Sequence, residues 1–406
     1  MKKVIIFILM INSIISFAES KFKTGLDVFL EKEFFKYSGK NIGIITNATG
    51  VTIDGVQNVD AIIEKKEIKL IKLFGPEHGI RGDIAAGTKV EDMVDKKSGL
   101  PVYSLYGATR RPTKEMLKGI DVLIYDIQDI GSRSYTFIST MAYCMQEAAK
   151  ENIEFVVLDR PIPIYGEIVD GNILESEYSS FIGVYPIPYV YGMTPGELAL
   201  YFNKEFGINC KLTVIKMEGY SHKMSFKETK MKWIPPSPNI PRYESAYYYP
   251  ATGIMGELGT TSGGAGLGML FELLGDEGID GNKITNYLNN KNILGITFKN
   301  VEFIPKTGKY KDKKCSGIKL EVTDEKKYLP FATAIYIMEA FIKCYPEKNY
   351  LGTAENVGKK DMFEKAMGTA KIRKMLLEGK SAEEVINSYK KELDEFKKKR
   401  EKYLLY

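Results

Sequence analysis

The segment 75–82 of this 406-residue chain carries three side chains that could take part in catalysis: Glu77, His78 and Arg81. They directly follow the apolar run Ile68 to Phe74, which is typical of a buried strand, and a glycine-proline pair ends that strand. In open α/β sheets, ligands bind at the edge where the strands end. The alternative is an ordinary strand-to-helix turn, with Glu77 in the first turn of the helix.

Polar side chains also follow the neighbouring predicted strands. The set comprises Asn47 after the first strand, Glu77, His78 and Arg81 after the second, Tyr106 after the third, Asp126, Gln128, Asp129, Arg133 and Tyr135 at the fourth, and Asp159 and Arg160 after the fifth. Parallel strands bring these positions to one edge of the sheet. Crowded polar groups are unfavourable unless they pair or bind a ligand, so two interpretations stay open: a polar ligand site, and ion pairs that brace the loops.

The residue types at this edge favour hydrolysis of a glycoside. One carboxylic acid can protonate the leaving oxygen while a second group acts at the oxocarbenium face of the sugar. Four arginine side chains could hold a carboxylate of the substrate through paired N–H donors: Arg81, Arg110, Arg111 and Arg133.

Several other classes of site are not indicated. The first strand lacks the G-x-G-x-x-G turn of a dinucleotide site, and the glycine cluster 263–268 is interpreted as part of a flexible loop, 253–268. With His78 and His222 as the only histidines, a His-rich metal site is excluded, and no cofactor is predicted. The four cysteines form no C-x-x-C pair and are expected to be buried free thiols. The lysines are spread along a chain of formal charge +5, so no nucleic-acid partner is predicted.

Alternating strand and helix patterns predict a parallel α/β sheet. The predicted strands span 41–47, 68–74, 101–105, 121–127, 153–158 and 212–217, and the predicted helices span 25–36, 60–66, 113–118, 139–151 and 194–206. The last of these helices begins with a capping box at Thr194.

A proline-rich segment, 233–241, predicts the crossing into a second domain, because each proline restricts its own backbone and that of the preceding residue. Beyond it the sequence predicts helices at 281–288 and 331–345, strands at 297–304 and 317–323, and a closing helix capped at Ser381. The predicted domains are therefore 21–232 and 233–406.

Residues 1–20 are predicted to be a secretory signal peptide. Lys2 and Lys3 precede the apolar run Val4 to Ala18, which is too short to span a bilayer comfortably. We therefore expect an exported protein, periplasmic or secreted, with no membrane span once the signal is removed.

Seven motifs stand out across the chain: GPEHGIRG (75–82), SLYG (104–107), YDIQDIGSRSYT (125–136), DRP (159–161), GMTPGELA (192–199), PPSPNIP (235–241) and YLLY (403–406). With these motifs the sequence resembles the NamZ-type exo-β-N-acetylmuramidases. The resemblance implies a Rossmann-like domain without nucleotide, a smaller α+β C-terminal domain and a cleft between them. It also implies release of N-acetylmuramic acid from the non-reducing end of peptidoglycan fragments, with muramyl saccharides as the partners.

The resemblance also implies roles for individual residues. Glu77 is the leading catalytic candidate and acts as general acid, with His78 beside it. Asp129 is the candidate for the second catalytic group, and the substrate's own acetamido group is the alternative. The motif positions expected to bind substrate are Asn47, Arg81, Tyr106, Asp126, Gln128, Arg133, Tyr135, Ser237 and Asn239, with Arg81 or Arg133 gripping the lactyl group.

One loop departs from the family pattern. Many members carry Glu-Gly-Thr-Asn there, whereas this chain has Gly-Glu-Leu-Gly-Thr at 256–260, so Glu257 is the expected equivalent and a further substrate-binding candidate. Two rival functions remain at this point: an exported binding protein that holds a muropeptide or sugar acid without cleaving it, and a wall-associated structural protein.

Overall fold

A computed structural model describes residues 22–82, 92–352 and 357–406. The predicted signal peptide lies outside the described residues. The strands, in chain order, are β1 (Asn41–Thr46), β2 (Lys69–Gly75), β3 (Met93–Val94), β4 (Pro101–Ser104), β5 (Val122–Asp126), β6 (Glu154–Leu158), β7 (Asp170–Ile173), β8 (Pro188–Val190), β9 (Leu212–Ile215), β10 (Leu273–Glu277), β11 (Ile296–Phe303) and β12 (Cys315–Val322).

Seven of these strands form one sheet in the order β3-β4-β2-β1-β5-β6-β9. All neighbours are parallel except β3, which pairs with β4 in the antiparallel sense. The parallel strands therefore follow the doubly wound order 3-2-1-4-5-6. Every residue of β5 is buried, as expected for a strand covered by helices on both faces. The predicted parallel α/β sheet is confirmed.

The helices are α1 (Gly25–Val28), α2 (Asn58–Ile63), α3 (Lys114–Leu117), α4 (Phe137–Lys150), α5 (Pro195–Glu205), α6 (Ser245–Leu258), α7 (Gly281–Asn289), α8 (Pro330–Cys344), α9 (Val357–Met367), α10 (Lys371–Leu377) and α11 (Ala382–Arg400). Capping boxes are present at Thr194 before α5 and at Ser381 before α11, as predicted. The helix predicted over 25–36 is interrupted: α1 continues as a π-helix and then a 3₁₀ turn.

The prediction of a loop over 253–268 is wrong in its first part, because α6 continues to Leu258 and ends at Gly259 with a left-handed φ of 62°. Pro250 and two glycines within α6 disfavour a helix locally. Burial of Ala251, Ile254 and Met255 on one side of α6 outweighs that propensity.

The second half of the chain builds a smaller layer of helices on an antiparallel sheet. Strands β10, β12 and β11 pair in that order, α7 packs on β11 and β12, and α8 packs against α7. One hydrophobic cluster includes both Ile45 of the parallel sheet and Phe331 of α8, so the two halves share a core.

Within the described ranges, every helix is too short or too polar to cross a lipid bilayer. The four cysteines are all buried free thiols, as predicted.

Candidate active site

A cavity of about 290 Å³ lies where the ends of the parallel strands meet the second half of the chain. Its walls carry two carboxylates, one imidazole, several hydroxyls and four aromatic rings. The lining residues are Glu77, His78, Ser134, Tyr135, Thr136, Phe137, Ser237, Asn239, Ile240, Tyr249, Glu257 and Phe271. Among the predicted site residues, the cavity brings together Glu77, His78, Tyr135, Ser237, Asn239 and Glu257.

Glu77 and His78 reach the cavity from the turn that follows β2. His78 has a φ of 73° and is 5% exposed, so a bulky side chain is held in the left-handed region with little solvent contact. Such a conformation is unfavourable for a residue with a Cβ and is found where the surrounding structure imposes it, often at functional sites. The following residue, Gly79, is also left-handed, with a φ of 70°.

A second strained residue faces the same cavity. Phe271, just before β10, has a φ of 73°. The remaining non-glycine residues with positive φ in the described ranges are asparagines, an aspartate and a lysine, none of which lines the cavity. Phe271, a bulky residue for which this conformation is a clear outlier, therefore occurs at the same site as the left-handed His78.

The second carboxylate, Glu257, comes from the last turn of α6. Glu257 as a whole residue is exposed, yet partial burial of its carboxyl group raises the pKa of Glu257 above its ordinary value. Tyr249, two turns earlier on α6, lies within range of both carboxylates. Burial first, and then the charges of Glu257 and Glu77, raises the pKa of Tyr249 to about 12. Tyr249 is therefore a neutral hydrogen-bonding group near neutral pH.

The loop before α4 forms a third wall. The Ser134 hydroxyl lies 2.6 Å from the Tyr189 hydroxyl and 3.0 Å from the Tyr249 hydroxyl. The Tyr135 ring stands edge-on to the rings of Phe137 and Tyr249, with centroids 5.0 and 5.8 Å apart. These contacts fix an aromatic and hydroxylated wall of the kind that sugars bind.

The proline-rich segment supplies Ser237 and Asn239. The main-chain amide of Asn239 donates to the Ser237 hydroxyl at 3.1 Å, and the amide of Ile240 donates to the Ser237 carbonyl at 3.0 Å. The Trp233 indole N–H donates to the Ile240 carbonyl at 3.1 Å and so connects the two ends of the segment. This compact turn positions both polar residues at the cavity.

Tyr106 lies behind Glu77. Burial raises the pKa of Tyr106, and the charge of the Glu77 carboxylate and a hydrogen bond with it raise that pKa further. The guanidinium of Arg110 opposes the rise. Tyr106 therefore contacts one of the cavity's carboxylates although it is not among the lining residues.

Arg133 does not reach the cavity. Its guanidinium is fully buried and donates to the main-chain carbonyls of Asn172 (3.0 Å), Ile187 (2.7 Å), Ala366 (3.3 Å) and Met367 (2.7 Å). Burial lowers the pKa of Arg133 to about 10. With both terminal nitrogens engaged in this way, Arg133 is not available for a lactyl group, contrary to the role expected for it.

Asp129 also lies outside the cavity wall. One of its oxygens accepts from the Gly131 amide at 2.7 Å and from the Tyr191 hydroxyl. Burial raises the pKa of Asp129 to about 6. Its charge in turn raises the pKa of the cavity residue Tyr135, for which burial is the main cause. Asp129 thus sits beneath the wall and contacts other side chains of the protein.

Asp126 forms a fully buried ion pair with Arg160 instead of facing a ligand. The guanidinium Nε lies 2.5 Å from one carboxylate oxygen and Nη2 lies 2.9 Å from the other. The Asn58 side chain donates to the same carboxylate at 2.7 Å. This pairing is the loop-bracing alternative that the sequence left open.

Asn47, Gln128 and Arg81 are engaged by local contacts. The side-chain oxygen of Asn47 accepts from the main-chain amide and the hydroxyl of Thr49 at 2.9 and 2.5 Å. The Gln128 amide group donates to two main-chain carbonyls at 2.9 and 2.6 Å. Arg81 pairs with Asp60 and Asp95, so it too is not available for a lactyl group, contrary to expectation.

The crevice beside β1, where doubly wound folds bind nucleotides, is filled by the protein itself. Residues 226 and 231–234 pack against Thr49, Val51 and Gln128 and leave only about 10 Å³. In the part of the chain that the structure describes, no group of three or more His, Cys, Asp or Glu side chains could hold a metal ion.

Five lining residues were not singled out from the sequence: Ser134, Thr136, Phe137, Ile240 and Phe271. Ser134, Thr136 and Ile240 lie inside the quoted motifs, so a signal was present for them. Phe271 comes from the loop before β10, where the local sequence predicted no contact with the β2 turn.

Comparison with known proteins gives consistent matches along the chain. Residues 42–244 match the family model described as exo-beta-N-acetylmuramidase NamZ, N-terminal, and residues 247–406 match the C-terminal model of the same family. The chain is 46% identical over 388 residues to the peptidoglycan beta-N-acetylmuramidase NamZ of Bacillus subtilis strain 168, covering 95% of this chain and 92% of that protein.

Two solved structures from Bacteroides fragilis, both described as DUF1343 family proteins, have the same fold. The first is 40% identical with a TM-score of 0.90, and the second is 31% identical with a TM-score of 0.75. Each alignment covers 95% of this chain and 99% of the other.

Proposed function

Because the chain belongs to the NamZ family of exo-β-N-acetylmuramidases, we propose that it is a glycoside hydrolase that releases N-acetylmuramic acid from the non-reducing end of peptidoglycan fragments. The observation that carries this proposal is the cavity in which Glu77 and Glu257 line one space with aromatic and hydroxylated walls. Most glycoside hydrolases use two carboxyl groups that flank the glycosidic bond, and this cavity of about the size of one sugar is lined by two.

The dimensions of the cavity support exo action. A volume of about 290 Å³ lies at the lower end of the usual range for small-molecule sites. A single amino sugar fits such a space, whereas several sugars of a glycan strand do not. A cavity of this size is suited to the terminal sugar of a chain.

We assign the general acid to Glu77, which protonates the glycosidic oxygen as the bond to the leaving sugar breaks. The hydrogen bond with Tyr106 fixes the orientation of the Glu77 carboxyl group. His78, held by its strained backbone next to the acid, is a second polar contact for the substrate.

The second catalytic group is Glu257 or the acetamido group of the substrate. Asp129, the earlier candidate, is bound by Tyr191 and the Gly131 amide and lies outside the wall, which disfavours it. Glu257 has the position for the role. The configuration of the sugar first released, read by NMR, distinguishes inversion of the anomeric centre from retention.

We further propose that the enzyme acts outside the cytoplasmic membrane, in the periplasm or after secretion. The support is the sequence of residues 1–20, with its two lysines followed by an apolar run. Peptidoglycan fragments are available in those compartments.

The test is incubation of the purified mature chain with chromogenic β-glycosides of N-acetylmuramic acid and of N-acetylglucosamine. We expect cleavage of the first alone, and we expect Glu77→Gln to lower kcat by roughly 10²- to 10⁴-fold. Glu302→Gln, an exposed glutamate of β11 paired with Lys314, is the matched control and keeps the parent rate. A Glu77→Gln enzyme as fast as the parent excludes the assignment. Tight binding of N-acetylmuramic acid without cleavage by the parent identifies a binding protein instead.

A further inference from the structure

One arginine differs from all the others in having no oxygen partner among the residues that the structure describes. The chain has eight arginines, all within the described residues. Seven of them donate to carboxylates or carbonyls: Arg81, Arg111, Arg133, Arg160, Arg242, Arg373 and Arg400. The eighth, Arg110, is exposed, and the described part of the chain gives it neither a hydrogen bond nor an ion pair.

Arg110 is nevertheless held in place by aromatic rings. Its guanidinium carbon lies 4.1 Å from the centroid of the Phe181 ring and 5.5 Å from that of Tyr106. The two rings are themselves in contact, with centroids 6.3 Å apart. A guanidinium on aromatic faces is partly ordered in advance, while its N–H donors stay free for a planar anion.

The position of Arg110 connects it to the cavity. Tyr106, the ring beneath Arg110, is the residue that hydrogen-bonds Glu77. Both the Glu77 carboxylate and the Arg110 guanidinium act on the phenol of Tyr106, in opposite directions. Tyr106 therefore interacts with both the Arg110 guanidinium and the proposed general acid.

We propose that Arg110, stacked on Tyr106 and Phe181, forms a subsite beside the cavity that binds a carboxylate of the substrate. This inference rests on the proposed function and adds to it the residue that selects an anionic sugar. A carboxylate matches the paired donors of a guanidinium in charge and in geometry, which a neutral hydroxyl or acetamido group does not. The carboxylate belongs either to the lactyl group of the sugar being released or to a muramyl residue farther along the fragment.

The experiment compares a chromogenic N-acetylmuramic acid glycoside with its lactyl methyl ester, which keeps the shape and removes the charge. We expect the parent to prefer the acid in kcat/KM by about 10- to 100-fold, the range for a hydrogen bond to a charged group. Arg110→Gln removes most of this preference by slowing cleavage of the acid, with the ester little affected. Arg111→Gln is the matched control, because Arg111 is bound to Gln146 and Glu147 and stacks on Tyr143, and it keeps the parent's preference.

A second substrate separates the two sources of the carboxylate. Loss of the acid preference on the monosaccharide glycoside assigns the lactyl group of the released sugar. The other outcome is that Arg110→Gln keeps the acid preference on the monosaccharide glycoside but loses tenfold or more in kcat/KM on a trisaccharide that carries a second muramyl residue. That outcome assigns the carboxylate to the leaving part of the substrate. Parent-like behaviour of Arg110→Gln on both substrates overturns the proposal.

Failure of the proposed function gives a different result. If the parent cleaves no muramoside, the same variants are compared for binding of N-acetylmuramic acid and its methyl ester by calorimetry. Tighter binding of the acid by the parent, lost in Arg110→Gln, supports the subsite without catalysis. Equal binding by both proteins, or no binding by either, overturns it. A thermal melt of each variant checks that it is folded.

Discussion

Arg133→Met tests whether this residue supports the cavity from beneath. The substitution keeps an unbranched apolar stem but removes the donors to four carbonyl oxygens. Two of those oxygens, on Ala366 and Met367, belong to the last turn of α9, where helix carbonyls have no partner within the helix. The guanidinium also offsets the negative end of the α9 dipole.

The expected loss is ~3–5 kcal/mol in the free energy of unfolding, because four buried carbonyl oxygens lose their donor, each at a cost of about 1–3 kcal/mol, and the cost of burying the guanidinium is removed. A hydrogen bond from a charged donor contributes about 1.5–3 kcal/mol, so four of them sum to more than this. The sum overstates the effect, because removal of the guanidinium also removes the cost of burying it. Arg133→Lys keeps the charge with fewer donors and should lose less.

Activity supplies the second readout. Ser134 and Tyr135 follow Arg133 directly and line the cavity, so a displaced Arg133 segment should raise KM for the muramoside under conditions where the variant is still folded. Urea unfolding gives the stability difference and steady-state kinetics gives KM. A stability within 1 kcal/mol of the parent, together with unchanged KM, refutes the reasoning.

Two further predictions concern His78 and Asp159. Because His78 has a φ of 73°, the free energy of unfolding of His78→Gly should be about 1 kcal/mol higher than that of His78→Ala. Activity should be reduced to the same extent in both variants. Equal stabilities would show that the turn relaxes. Burial raises the pKa of Asp159 to about 7, above its unfolded value near 3.8, so the folded state binds the proton more tightly and stability falls as pH rises between these values. Between pH 5.5 and 8 this decline is ~2 kcal/mol from Asp159, measured by urea unfolding. The part of the decline that Asp159 causes should be missing in Asp159→Asn, which keeps only the decline due to Asp129. If stability falls as steeply in that variant as in the parent, Asp159 is not the cause.

The strands and their common edge could be predicted from the sequence because apolar runs and their stop signals are local. The predicted strand 121–127 became β5, Val122–Asp126, and the capping box at Thr194 starts α5 where expected. Part of helix α6 was predicted as a loop, because its proline and glycines have low helix propensity. The stability of α6 comes from packing against residues that are distant in the sequence. Propensity alone does not contain that contribution.

The arginines show the same limit for the site. The sequence placed Arg81 and Arg133 at the correct edge of the sheet, but it could not show which oxygens each would meet. Arg81 pairs with Asp60, 21 residues away, and Arg133 binds carbonyls more than 230 residues away at Ala366 and Met367. Residue type and strand position predict that a charge lies near the edge. Long-range contacts decide whether that charge pairs with groups of the protein or can bind a ligand.

The polar residues at the sheet edge therefore form two layers: one pairs within the protein, and the other lines the cavity. The lower layer contains the ion pair between Asp126 and Arg160, fully buried and held at 2.5 and 2.9 Å, which fills the edge beside β1 with rigid polar contacts. The upper layer contains Glu77 and His78, whose strained turn needs a firm base to persist. A buried ion pair adds little stability on balance, but breaking it leaves an uncompensated charge in the interior. The lower layer therefore favours a single arrangement of the sheet edge, at which the strained turn of Glu77 and His78 also lies.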